Sequence, residues 1–166
     1  MPQNVKSTQN KVRFLIQKIF LEKSGHGFSR THIIKILFKF KKILSNKYPD
    51  DPILEQLPFY WYRHGPMCDP IDNEFNDMRD SGELKYIGHD KYILQKGLEY
   101  SNNGLEPHTT NEFKIFLKSI NPYGLEELSR EIYKGSPCYF YEHFKYGFLK
   151  PVEELTKVMK NGQQPL

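Results

Sequence analysis

Alanine is absent from the whole sequence, cysteine occurs only twice and tryptophan once in 166 residues. Helices without alanine must take their volume from larger side chains, and 12 Phe and 11 Tyr join Leu and Ile to supply it. Cys68 and Cys138 stand far apart in sequence, which argues against a disulfide framework and suits reduced thiols. No apolar run approaches the roughly 18–20 residues that a bilayer span needs. The opening MPQNVKSTQNK is polar and lacks the apolar region of a signal peptide, so the expected location is cytoplasmic, with no membrane contact. Neither sign of charge dominates: 24 Lys and Arg against 20 Asp and Glu leave +4. That balance permits nucleic-acid contact without requiring it. What remains is a lysine-rich surface over an aromatic, branched-aliphatic interior, in a chain long enough for its own core.

Helical spacing begins at residues 11–23, where Val12, Leu15, Ile16, Ile19 and Phe20 repeat on one face. The stretch SGHG at 24–27 stops that helix. Ser29 is placed to cap a second helix running to about Tyr48, with Ile33, Ile36 or Leu37, Phe40, Ile43 and Leu44 inward. Pro49 and Pro52 bracket an acidic turn, and DPILEQL leads into four aromatics, Phe59 to Tyr62, that suit a strand. His64-Gly65-Pro66 is expected to break this strand and act as a hinge. Asp69 then caps a third helix with Pro70 at its first position, Ile71, Phe75 and Met78 form its stripe, and Ser81-Gly82 ends it. LKYIG and KYIL, joined at His89-Asp90, read as a β-hairpin.

The polar segment SNNGLEPHTT, 101–110, marks an internal boundary. Beyond it, Thr109 and Glu112 have the spacing of a capping box at the start of a helix with Phe113, Phe116, Leu117 and Ile120 inward. A further helix is expected over 124–134. The cluster CYFYEHFKYGF, the helical candidate PVEELTKVMK and a fraying NGQQPL close the chain. The expected class is α+β, mainly α. Residues 1–100 would form a winged-helix-like helical core with a short β-hairpin, and residues 101–166 a C-terminal helical extension packed on it as one compact unit.

That expectation rests on the run from Phe59 to Gly97, where a helix is followed directly by a hairpin, as recognition helix and wing follow each other in a winged helix. The same run, FYWYRHGPMCDPIDNEFNDMRDSGELKYIGHDKYILQKGLEY, resembles the Panacea or SocA-like antitoxin domains and their YwgA-like relatives. The resemblance lies in the aromatic strand with Tyr62-Arg63-His64-Gly65-Pro66, the Gly-ended boundary at Ser81-Gly82, the hairpin and the closing Gly97. KVRFLIQKIF is similar to the opening helix of those domains, with a weaker likeness around LEELSREIY. Where the family often has Ser after Gly-Pro, this chain has Met67-Cys68-Asp69. The resemblance implies a non-enzymatic antitoxin- or adaptor-type module that binds a partner protein, a toxin or a protease-type protein being the kinds to consider. It supplies no catalytic residues.

The chemistry of the residues gives several readings. Arg30, Lys35, Lys39, Lys41, Lys42 and Lys47 form a basic run without a carboxylate, useful against phosphates through counterion release. Of these, Arg30, Lys35, Lys39 and Lys42 are the candidate nucleic-acid contacts; the plainer reading is that they solvate the outside of a helix. The third helix is acidic instead. Asp69, Asp72, Glu74, Asp77, Asp80 and Glu83 face one Arg79 and would repel a phosphate backbone, although Asn73 and Asn76 have base-reading side chains. Asp72, Asn73, Asn76, Asp77 and Asp80 are therefore the candidate partner-binding residues, suited to a basic partner or to self-association as a homodimer.

Tyr60, Trp61, Tyr62, Arg63 and His64 are either a stacking platform for single strands or, more plainly, core packing with Arg63 and His64 exposed. His64, Cys68 and Asp69 lack a standard zinc spacing, so no metal and no cofactor is expected. Cys68 or Cys138 with His143 fits a thiol and base, but unlinked cysteines are commonly small core residues. Asp50 with Glu83-Leu84-Lys85 matches the loose text of a Mg²⁺-dependent nuclease, a chemistry that wants both carboxylates on adjacent strands. Tyr62, Gly65, Pro66, Gly82 and Gly97 are read as scaffold.

Overall fold

The computed structural model describes residues 2–23, 25, 27–62, 65–95, 104–120 and 124–134. Its first helix, α1 (Pro2–Glu22), starts well ahead of the first apolar repeat, and Val12, Leu15, Ile16, Ile19 and Phe20 are buried as their spacing predicts. Beyond it, Phe28 exchanges backbone hydrogen bonds of 3.0 and 2.9 Å with Tyr92 far along the chain. This antiparallel bridge has no signal in the local sequence.

α2 (Arg30–Lys47) opens on Ser29, whose Oγ accepts from the His32 N–H at 3.1 Å. The predicted Ile33, Ile36, Leu37, Phe40 and Leu44 are buried, but so are Ile34, Lys35 and Phe38. A helix covered on that many sides sits at the centre of a molecule rather than on its surface. The Asp51 carboxylate then accepts from the Ile53 N–H at 2.9 Å and starts a short 3-10 helix, Pro52–Gln56.

The next segment corrects the sequence reading. β1 (Tyr60–Tyr62) is not simply broken at Gly65-Pro66; the chain turns back, and β2 (Gly65–Met67) pairs antiparallel with it, Trp61 opposite Pro66 and Tyr62 opposite Gly65. Proline is compatible with such a two-stranded edge because no inner ladder bond is lost. The cap of α3 (Asp69–Asp80) is also corrected. Cys68 occupies the capping position without a side-chain bond, and Asp69 is the first helical residue. The Asp69 carboxylate instead accepts from the Tyr60 hydroxyl at 2.7 Å. Ile71, Phe75 and Met78 are buried, and Gly82, at φ +83°, ends the helix.

β3 (Leu84–Gly88) and β4 (Lys91–Leu94) form the predicted hairpin. Its tip residues His89 and Asp90 have φ of 53° and 59°, the left-handed pair that matches the twist of two-residue hairpins. With the Phe28 bridge on β4, the order α1, bridging residue, α2, α3, hairpin is that of a winged helix, with the 3-10 helix and the β1–β2 pair inserted between α2 and α3. The chain is thus α+β and mainly α.

α4 (Pro107–Ser119) and α5 (Leu125–Lys134) pack on α2. The Phe40 ring lies 4.6 Å from that of Phe113 and 5.4 Å from that of Phe116. The expected capping box of α4 does not form. The Thr109 hydroxyl donates to the buried Asp51 carboxylate, His108 meets the same oxygen at 2.7 Å, and Glu112 pairs with Lys47 at 3.0 Å. Tertiary partners at the end of α2 and in the segment after it have taken both side chains. Gly97, Cys138, His143 and the expected elements beyond residue 134 lie outside the described residues. Among those described, no helix is long and apolar enough to cross a membrane.

Candidate functional site

In a winged helix, α3 and the wing frame the surface that meets a partner. Periodicity divides α3 sharply here. Its inner side carries Ile71, Phe75 and Met78 together with Glu74, which is only 2% exposed. Arg13 of α1 reaches Glu74 at 3.4 Å and Glu83, at the foot of the wing, at 2.7 Å. Burial pushes the Glu74 carboxyl up from its usual range and Arg13 pulls it back. One guanidinium thus ties α3 and the foot of the hairpin to α1. The sequence signal for it was a lone charge between the apolar Val12 and Phe14.

The outer side of α3 exposes Asn73, Asp77, Arg79 and Asp80, with Asp72 and Asn76 half-buried. Arg79 donates to its neighbour Asp80 at 3.1 Å. Asn76 is less available than its place in the sequence suggests, because its Oδ1 is shut in and takes no hydrogen bond among the described residues. The wing beside this face is exposed and aromatic: Tyr86 is 57% and Ile87 47% exposed. Tyr86 rests on Tyr92, which in turn meets Phe75 edge-on.

The basic candidates on α2 are placed otherwise than expected. Arg30 pairs with Asp72 at 3.0 Å, joining a residue of each proposed surface within one molecule. Lys35 is not a surface contact: it is 6% exposed, donates to Ser129 Oγ at 2.7 Å and lies over the Tyr133 ring. Burial lowers its amine to about 8. Lys39 is paired with Glu131, and Lys41 donates to the Leu57 carbonyl at 2.6 Å. Lys42 is exposed, over the Phe38 ring at 4.8 Å. The physical reason is the central position of α2, which brings Arg30 to α3, Lys47 to α4, and Lys35 and Lys39 to α5.

Trp61 is buried against Phe38, and Tyr60 and Tyr62 are half-buried at the rim; Arg63 and His64 lie outside the described residues. Cys68 is fully buried, and burial pushes its thiol up to about 12. A thiol held protonated is a poor nucleophile and metal ligand. Asp50 stands on an exposed turn rather than a strand, while Glu83 is held by Arg13 and Lys85 points from the exposed wing. The adjacent-strand arrangement of a metal-dependent nuclease is therefore not formed by these residues. Among the described residues, no group of three or more His, Cys, Asp or Glu is placed to hold a metal ion.

Gly65, at φ +109°, is buried where α5 crosses β2; a β-carbon there would stand 2.9 Å from the Tyr133 hydroxyl oxygen. Pro66 is buried beside it. Comparison of the chain with family models, with curated proteins and with solved structures finds no match in any of the three.

Proposed function

We propose that this chain is a non-catalytic interaction module that binds a basic partner protein through the outer face of α3, with the wing as its flank. The observation that carries this reading is the charge of that face. Where a winged-helix reader of DNA presents cations to phosphates, α3 presents Asn73, Asp77 and Asp80, its one cation, Arg79, being bonded to Asp80. Carboxylates there repel a nucleic-acid backbone and attract a cationic protein surface. The exposed Tyr86 and Ile87 add the large apolar contacts that anchor protein interfaces. The resemblance to the Panacea and SocA-like domains points to the same class, an antitoxin- or adaptor-type protein acting in the cytoplasm. Self-association remains within this reading, since a homodimer would be a partner of the same kind.

The test is a pair of charge reversals. Asp77→Lys with Asp80→Lys lies on exposed positions and should leave the melting temperature within a few degrees. It should abolish capture of a stoichiometric protein partner that the unaltered chain retains. A preparation that binds no protein but holds nucleic acid would overturn the reading.

A further inference from the structure

Helical spacing gives α4 two sides. Phe113, Phe116 and Leu117 are buried, while Asn111, Lys114, Ile115 and Lys118 lie exposed on the opposite side. The single carboxylate of α4, Glu112, is taken up by Lys47 at 3.0 Å. Among the described residues Lys114 and Lys118 meet no carboxylate, so the exposed face of α4 is uniformly basic. In its middle Ile115 is 53% exposed.

This face is the counterpart of the outer face of α3. Asn73, Asp77 and Asp80 follow one another along α3 as Asn111, Lys114 and Lys118 do along α4. Each stripe is an amide followed by two charges of one sign, spread over two turns or about 10 Å of helix. The apolar components match as well. Four large apolar side chains are exposed among the described residues, and three of them belong to these two surfaces: Tyr86 and Ile87 on the wing beside α3, and Ile115 on α4.

We propose that the exposed face of α4 is the seat for the outer face of α3 in a second copy of this chain. Lys114 and Lys118 would lie against Asp77 and Asp80, and Ile115 against Tyr86 and Ile87 of the wing. The inference rests on the reading of α3 as a partner-binding face and names the basic surface that it meets. Charge complementarity selects the occupant, since like faces would set lysine against lysine or carboxylate against carboxylate. Exposed ion pairs contribute little adhesion, so the apolar side chains hold the contact while the charges fix its register. Each copy offers one face of each kind, which makes the contact heterologous.

Sedimentation equilibrium of the full chain at low salt, over increasing protein concentration, should show self-association that weakens as salt is added. Lys114→Glu with Lys118→Glu makes both faces acidic, and Asp77→Lys with Asp80→Lys makes both basic. All four positions are exposed, and both variants should stay folded by circular dichroism. Each alone should self-associate at least about tenfold more weakly than the unaltered chain. Mixed in equal amounts, the two variants should associate again, because each supplies the face that the other needs. Damage to the fold would give no such recovery. A chain that stays monomeric at every concentration, or a mixture that does not recover, overturns the inference. Self-association that survives the lysine reversals but not the aspartate reversals removes the α4 seat and leaves the α3 reading standing. Association untouched by the aspartate reversals counts against both.

Discussion

A β-carbon at Gly65 would meet the Tyr133 hydroxyl oxygen at 2.9 Å on a backbone held at φ +109°. Both costs fall on any larger residue, so Gly65→Val should lower stability by roughly 1–3 kcal/mol. Urea denaturation measures this, and partner binding should fall only in proportion to the folded fraction. Arg13 is a second residue on which much depends. Removing it strands the Glu74 carboxylate, 2% exposed, beside Glu83. Arg13→Ala should therefore cost about 3 kcal/mol at neutral pH. The cost should shrink in acid as Glu74, its carboxyl already pushed up by burial, takes a proton. His32 acts in the opposite sense. Its imidazole is held down at about 4 against an ordinary 6.5, so the unfolded chain binds more protons between those values. Stability should fall as pH drops from 6.5 towards 4, and His32→Leu should flatten that part of the denaturation profile.

At the scale of elements, α2 determines what the others can do. Because it is buried on most sides, α5 finds on it a lysine to bond, Lys35 to Ser129, and beside it on β2 a glycine, Gly65, under Tyr133. The Lys35 amine is lowered to about 8 from 10.5 by burial. Between those values the unfolded chain again binds more protons, so stability rises as pH increases from about 8 to 10.5. Urea denaturation of the unaltered protein against Lys35→Met should show that rise only in the former. The wing reports a different kind of element-level constraint. Two residues that are not glycine, His89 and Asp90, hold left-handed backbone at its tip, a shape the flanking strand pairing imposes.

For the whole molecule, the proposed preference for a protein over nucleic acid rests on the arrangement of charge. The +4 of the sequence permits a basic binding face, yet Arg30, Lys35, Lys39 and Lys47 all bond within the molecule. On the outer side of α3, Asp77 and Asp80 reach solvent. Duplex DNA should show no retardation at low salt, and Lys39→Glu with Lys42→Glu should leave protein partner binding unaltered. Retardation that weakens steeply with salt and disappears in that variant would reverse the assignment.

The sequence by itself determined the elements whose signals are local. The apolar stripes of α1 and α3, Ser29 as a cap, the Gly82 stop and the hairpin around His89-Asp90 were all legible, because spacing and backbone preference act over a few residues. The outward acidity of α3 was legible for the same reason. Tertiary structure alone decided the rest. Phe28 pairs with Tyr92, β2 folds back on β1, and Thr109 leaves its own helix end for Asp51. The lysines of α2 look like a solvated face in sequence, but burial at the centre of the fold turned Lys35 inward to Ser129, while Lys39 pairs with Glu131 at the surface. Each of these contacts joins residues far apart in the chain, and a side chain's choice between water and a distant partner is made only when the helices pack.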